Sequence, residues 1–298
     1  MSSRQTTTRS IRRFAGGEVQ AVVDHLALEE PLEIQVAHGQ PDNRQTKTVA
    51  ITMRTPGHDT ELAAGFLVGE GLLQSPEQLE AIYPRGPRYG DGGMQHSVRV
   101  TLRPEVHLDL ARLERHFYTT SSCGVCGKTS IEALEIANSK PLAPADWHLD
   151  PATICALPVR LRESQTAFDQ TGGLHAAGLF TPEGRPVVIR EDVGRHNAVD
   201  KVIGAQFIAG RLPLARCVLV VSGRASFELM QKAIAAGIPV LVAVGAPSSL
   251  AIDMAEKFGA TLVGFTKTKG FNIYAGAERV TTGGYDDEDI ALISHASL

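Results

Sequence analysis

The last third of the chain alternates between short, unbroken apolar runs and helix-length segments, and that alternation leaves few folds open. Arg216–Val221 is a continuous apolar strand, followed by a helix over Phe227–Ala236 that stops at Gly237. Pro239–Val244 is a second strand, Leu250–Phe258 a second helix closed by Gly259, and Ala260–Phe265 a third strand. Strands covered on both faces read as solid apolar runs, and parallel neighbours are joined by right-handed helical crossovers. The order predicts an α/β fold with a mostly parallel sheet. Ligands in such sheets sit beyond the carboxyl ends of the strands. That places Ser222–Ser226, Gly245–Ser249 and Thr266–Gly270 at the expected binding edge.

Upstream the pattern changes. Glu33–Val36, Lys47–Met53 and Ser97–Leu102 read as strands of a smaller sheet, and a helix starts at Asp59 with Leu62, Ala63, Phe66 and Leu67 on its buried face. Ala176–Phe180 and Pro186–Arg190 flank a turn as a hairpin would, and Asn197 is a good N-cap for a helix running to Ala209. Residues 1–18, with Arg4, Arg9, Arg12 and Arg13 and a run of Ser and Thr, read as a disordered basic tail. The expected division is then an α+β part over 19–140, a proline-rich linker or long connection over 141–158, and a C-terminal α/β part over 159–298.

Composition narrows the function. A net charge of -4 over 298 residues provides no global field for nucleic acid or an anionic membrane. Aromatics at 5% argue against base-stacking platforms. No apolar run approaches the ~18 residues needed to span a bilayer. Four cysteines without a signal peptide make no disulfide scaffold and point to a reducing, cytoplasmic setting.

The sharpest local feature is Ser121-Ser122-Cys123-Gly124-Val125-Cys126-Gly127-Lys128-Thr129. Thr129 and Glu132 form a capping box, so both thiols precede a helix N-terminus and lie beside Lys128. Both features favour thiolate, and the glycines leave the sulfurs unshielded. On spacing alone, a thiol nucleophile or sulfur carrier competes with a zinc site completed by His116 or His148 and with a thioredoxin-like redox pair. A phosphate-binding loop ending at Gly127-Lys128-Thr129 is excluded, because Ser122 stands where glycine is needed. The zinc deaminase signature fails too, since no His-x-Glu occurs in the chain. Arg190–Asn197 and Ser222–Ser226 are candidate anion cradles at helix starts. The competing reading of the first is a loop whose charges pair among themselves. His175 is either functional or a satisfied core histidine.

Taken together, several segments resemble the FdhD family of formate dehydrogenase accessory sulfurtransferases. They are Thr55–Asp59 with Gly65-Phe66-Leu67, Ser121–Lys128, Gly173–Ala177, Glu191–Lys201, Ser222-Gly223-Arg224, Ala246–Ala251 and Gly264–Tyr274. The resemblance implies a cytidine deaminase-like three-layer fold without its zinc chemistry. It also implies a sulfur carrier between a cysteine desulfurase and a molybdenum bis(molybdopterin guanine dinucleotide) cofactor destined for formate dehydrogenase. By motif match Cys123 would hold a persulfide with Cys126 assisting. Phe265, Thr266, Lys267, Thr268, Lys269 and Gly270 would bind the cofactor, or a GDP-like fragment of it, with Arg224 and Ser222 as further phosphate donors. That stretch is commonly arginine-rich in the family; here lysine keeps the charge without the bidentate fork. No metal site, nucleic acid or membrane partner is implied, and a homodimer is. A chaperone that binds the cofactor or apo-enzyme without transferring sulfur is the alternative.

Overall fold

The computed structural model describes residues 5–88, 93, 95–106, 141–144 and 146–281. The large sheet contains β7 (His175–Phe180), β8 (Pro186–Asp192), β9 (Val218–Val221), β10 (Val240–Ala243), β11 (Thr261–Lys267) and β12 (Gly270–Ala275), in the order β12-β11-β10-β9-β7-β8. The expected strand–helix alternation is present, with α5 (Phe227–Ala235) and α6 (Ser249–Phe258) as crossovers. Ser248 caps α6 by accepting the Ala251 N–H, and Gly259 closes it in the left-handed region at φ 69°.

The expectation of a mostly parallel sheet is corrected. Only β9–β10 and β10–β11 are parallel, whereas β7–β8, β7–β9 and β11–β12 are antiparallel. A hairpin enters on one side and another closes the other, so the fold is mixed α/β.

Side-chain alternation gives the sheet two apolar faces. Ala177, Leu179, Leu219, Val221, Leu241 and Leu262 face one core; Ala176, Phe180, Val218, Val220, Val240 and Val263 face the other. Helix α2 (Pro151–Glu163) covers the second face with Ile154, Leu157 and Leu161. It begins inside the stretch read as a linker. Asp150 caps it through the Thr153 N–H, and Pro151 at its first position needs no donor there, so a proline that looked like a breaker is a helix start.

The first face packs on α4 (Arg195–Ile208), which crosses α1 (Asp59–Gly69). Their backbones meet at Gly65 and Gly204. A Cβ on Gly65 would lie 1.8 Å from the Asp200 carbonyl oxygen, and one on Gly204 1.8 Å from that of Glu61. Beyond α1 lies a four-stranded sheet of β3 (Glu30–His38), β4 (Gln45–Arg54), β5 (Leu79–Arg85) and β6 (Ser97–Leu102), ordered β4-β3-β6-β5. Leu32, Ile34, Val98 and Val100 of this sheet belong to the same apolar cluster as Leu219 and Leu241 of the large one.

The basic N-terminal segment is not a disordered tail over its described length. Thr6–Ala15 is strand β1, paired antiparallel with β2 (Glu18–Ala27).

Candidate functional site

The motif Glu191–Lys201 and the motif Thr55–Asp59 meet where the two sheets join. Lys201 Nζ lies 2.6 Å from Asp192 Oδ2 and donates to the Thr55 carbonyl at 2.8 Å and the Glu191 carbonyl at 3.3 Å. Asp192 in turn accepts the N–H groups of Thr55 and Gly194 and the amide of Asn197. Asn197 also donates to the Met53 carbonyl at 2.7 Å, so it bridges α4 to β4. The expected Asn197 cap is therefore corrected: the helix starts at Arg195 with Gly194 as its N-cap. Nearby, buried Arg54 grips Asp59 through two bonds of 2.9 Å, and Arg190 grips Glu61 at 2.6 and 2.8 Å. Burial pushes the Glu61 carboxyl up, but Arg190 and His58 outweigh it and hold the group at about 2. For Asp192, Asn197 and Lys201 the loop's charges do pair among themselves.

Arg195 and His196 behave differently. They open α4, and His196 faces the loop that follows β9. His196 Nε2 is 3.4 Å from Ser226 Oγ and 3.9 Å from Glu228, whose carboxyl is held at about 2 by the His196 contact and the Ser226 bond against burial. Arg195 Nε is buried with no hydrogen-bond partner among the described residues. Half-buried His175 starts β7, and its ring lies 3.5 Å from where a Cβ on Gly223 would stand. Burial first, then the Arg195 and His196 charges, push its pKa down, so the ring is neutral near pH 7.

The expected binding loops are stitched together by backbone bonds. Gly245 N–H donates to the Gly223 carbonyl, Ala225 N–H to Ala246, Ser248 N–H to Ala225 and Phe265 N–H to Gly245, all between 2.9 and 3.1 Å. A Cβ on Gly245 would come within 3.1 Å of the Arg224 backbone, which is why this approach needs glycine. Ser222 Oγ accepts the Ala176 N–H at 2.9 Å and so anchors its loop to β7. Arg224 is exposed and, among the described residues, pairs with no carboxylate.

Thr266–Gly270 is not a loop throughout. Phe265, Thr266 and Lys267 belong to β11, Thr268 and Lys269 make a tight turn, and Gly270 opens β12. Phe265 is exposed with φ at 51°, a left-handed conformation rare for a bulky residue. Thr266 is buried, and its hydroxyl has no partner among the described residues. Lys267 and Lys269 are exposed, and neither is ion-paired among the described residues. The edge thus gathers Arg195, His196, His175, Ser222, Arg224 and Phe265, with the lysine turn extending from it. Exposed Arg224, Lys267 and Lys269, without a carboxylate partner among the described residues, beside a neutral imidazole and an exposed aromatic suit a phosphate-bearing ligand with a planar ring.

Cys123 and Cys126 lie outside the described residues. Of the other two cysteines, Cys217 is half-buried and burial pushes its thiol pKa up, which disfavours its thiolate. Among the described residues no three His, Cys, Asp or Glu side chains are grouped as a metal site, and no helix is long and apolar enough to cross a membrane.

Comparison with known proteins places these motifs in context. The FdhD/NarQ family model matches residues 27–281. A sulfur carrier protein FdhD from Streptomyces avermitilis is 51% identical over 284 residues, covering 93% of this chain and 96% of the relative. The protein of that name from Mycobacterium tuberculosis is 47% identical, covering 93% and 99%. The structure resembles a crystal structure from Desulfotalea psychrophila, described as that of a formate dehydrogenase accessory protein. The TM-score is 0.68 and the identity 26%, with 93% of this chain and all of that one covered.

Proposed function

Because the chain belongs to the FdhD/NarQ family, we propose that it is a sulfur carrier serving formate dehydrogenase, with Cys123 as the residue that holds the sulfur. The Cys123 thiolate attacks the outer sulfur of a persulfide on a cysteine desulfurase. A new S–S bond forms at Cys123, the donor's S–S bond breaks, and the donor cysteine leaves as thiolate. The Cys126 thiolate then attacks the inner sulfur at Cys123: a Cys123–Cys126 disulfide forms, the persulfide S–S bond breaks, and the outer sulfur leaves at the sulfide level for the molybdenum bis(molybdopterin guanine dinucleotide) cofactor, the substrate of the transfer, before that cofactor enters formate dehydrogenase. A cellular thiol reduces the disulfide and resets the pair. In this reading the protein works in the cytoplasm as a homodimer, and Cys126 assists Cys123.

One observation supports the cofactor half of this reading above the others: three strand-end loops distant in sequence are bound to one another by backbone hydrogen bonds and present Arg224, which has no carboxylate partner among the described residues, beside exposed Phe265. Lys267 and Lys269 meet the phosphates, Phe265 offers its ring to the guanine, and Ser222 holds the loop carrying Arg224 in place. The buried hydroxyl of Thr266, without a partner among the described residues, is a donor that a ligand could satisfy.

Intact-mass measurement after incubation with a cysteine desulfurase and cysteine tests the carrier role. A sulfur-sized addition on the wild type, absent from Cys123→Ser, is expected. An undiminished addition on Cys123→Ser overturns the assignment.

A further inference from the structure

Two imidazoles flank the Ser222–Ser226 loop, one at each end. His175 opens β7 just after helix α3 (Thr166–Thr171) and the glycines that follow it. Its Nδ1 lies 3.5 Å from where a Cβ on Gly223 would stand, and the next residue, Ala176, donates its N–H to Ser222 Oγ. At the far end His196 Nε2 stands 3.4 Å from Ser226 Oγ. Asp192 is the cross-strand partner of His175, and from it the chain turns at Gly194 into Arg195 and His196 of α4. Sheet register and helix start together gather both rings and Arg195 around the loop that carries Arg224.

The two rings differ in their partners. His196 has ionised Glu228 3.9 Å away. His175 makes no ion pair among the described residues, and neither of its ring nitrogens has a hydrogen-bond partner there. Asp192 is the carboxylate whose charge reaches it, but Lys201, two backbone N–H groups and the Asn197 amide already take that group up. The charges that face it from α4 are those of Arg195 and His196. On α2, Arg160 is bonded to the Glu183 and Gly184 carbonyls and Arg162 to Asp169 of α3. A histidine kept for packing has its ring nitrogens satisfied. This one keeps a donor and an acceptor free, beside cations and without a counter-ion.

We infer that His175 contacts the phosphates of the ligand bound at this edge, and that their arrival makes it an imidazolium by uptake of one proton from solvent. It has this role only within the nucleotide-binding reading above. The proton returns to solvent when the ligand leaves, and no electron moves. The sign follows from the partners. Without ligand, burial and the Arg195 and His196 charges disfavour the proton. An anion within ~4–6 Å attracts it and offsets both charges. Coupling is reciprocal, so each unit by which the ligand raises the midpoint of His175 tightens binding about tenfold at pH values below the free midpoint. That gain is lost as pH rises through the ligand-bound midpoint. A nucleoside without phosphate gains nothing.

Calorimetric titration of the full-length chain with GDP near pH 7, repeated in buffers of different ionisation enthalpy, counts the protons taken up. The wild type should take up roughly half to one proton more per GDP than His175→Gln, which stays polar but does not titrate. Protons exchanged by GDP itself are common to both. Equal counts overturn the role of His175 and leave nucleotide binding standing, whereas GDP that fails to bind the wild type overturns both. Nuclear magnetic resonance of the His175 ring in the wild type needs no binding by the variant. Its titration midpoint should rise by about one pH unit or more with GDP and stay in place with guanosine. A midpoint that GDP leaves unmoved, or that guanosine raises equally, overturns the inference.

Discussion

Lys201 Nζ lies 2.6 Å from Asp192 Oδ2, and neither side chain reaches solvent. The pair ties α4 to the end of β8, and through the Thr55 carbonyl and N–H it ties both to the segment that leads into α1. A buried pair of this kind adds little net stability over an apolar replacement, but breaking it leaves one uncompensated charge.

Lys201→Met should therefore destabilise the fold by about 3–5 kcal/mol, while Lys201→Met/Asp192→Asn should recover much of that loss. Urea denaturation of the two variants checks it; equal losses would show that the pair is not coupled.

The α1–α4 crossing sets a second prediction. With a Cβ on Gly204 only 1.8 Å from the Glu61 carbonyl oxygen, the helices must move apart. Gly204→Ala should cost about 3 kcal/mol or more, against about 0.8–1 kcal/mol gained from helix propensity had the site been open. A thermal melt within a degree of the wild type would rule out the close crossing.

Glu61 carries a pH dependence whose sign follows from its partners. Its carboxyl is held at about 2, below the ordinary 4.5, so its ion pair with Arg190 contributes stability above pH 4.5 that is lost as pH falls towards 2. Glu61→Gln should be less stable than the wild type at pH 6, and the gap should narrow steadily between pH 4.5 and pH 2. Denaturation midpoints at four pH values across that window measure it. A gap independent of pH would mean the pair contributes nothing in solution.

The lysine turn gives a ligand prediction. A charge-assisted hydrogen bond is worth roughly 1.5–3 kcal/mol, so Lys267→Ala/Lys269→Ala should weaken GDP binding on the order of 10–100-fold. Calorimetric titration decides, and equal affinities would remove the turn from the phosphate site. Sulfur loading on Cys123 should be unchanged in the same variant.

The run from β9 to β11 was legible because each strand is an unbroken apolar word and each helix ends on glycine. The hairpins were less so. Gly270–Ala275 alternates Phe271 and Ile273 with polar neighbours over only six residues, a signal too short to separate from the turn before it, and so the sheet read as more parallel than it is. In the N-terminal ribbon, β-branched Thr6–Thr8, Val19, Val22 and Val23 carried a strand signal that basic composition obscured. The site divided in the same way. Ser222, Arg224 and Phe265 were placed by topology. Lys201, Asp192 and Arg54 were not seen as buried partners, because charged side chains read locally as surface and their contacts come from far along the chain. Four-residue spacing of Asn197 and Lys201 on one helical face, aimed back at Asp192, was the available clue.

The close crossing of Gly65 and Gly204 also bears on synthesis. About 140 residues separate the two glycines, and Leu62, Ala63, Leu67 and Val68 of α1 are buried against a core that α4 helps to form. At 5–20 residues per second, the ribosome needs roughly 7–28 s to deliver that cover. For that interval the side of α1 that α4 will cover has no native partner, although the small sheet of residues 30–102 can already pack on its other side, and the nascent chain presents the uncovered side to whatever is near. Trigger-type chaperones should crosslink to nascent chains stalled near residue 150 and be released from chains stalled beyond residue 250, and crosslinking of equal yield at both lengths would show that α1 finds its cover elsewhere.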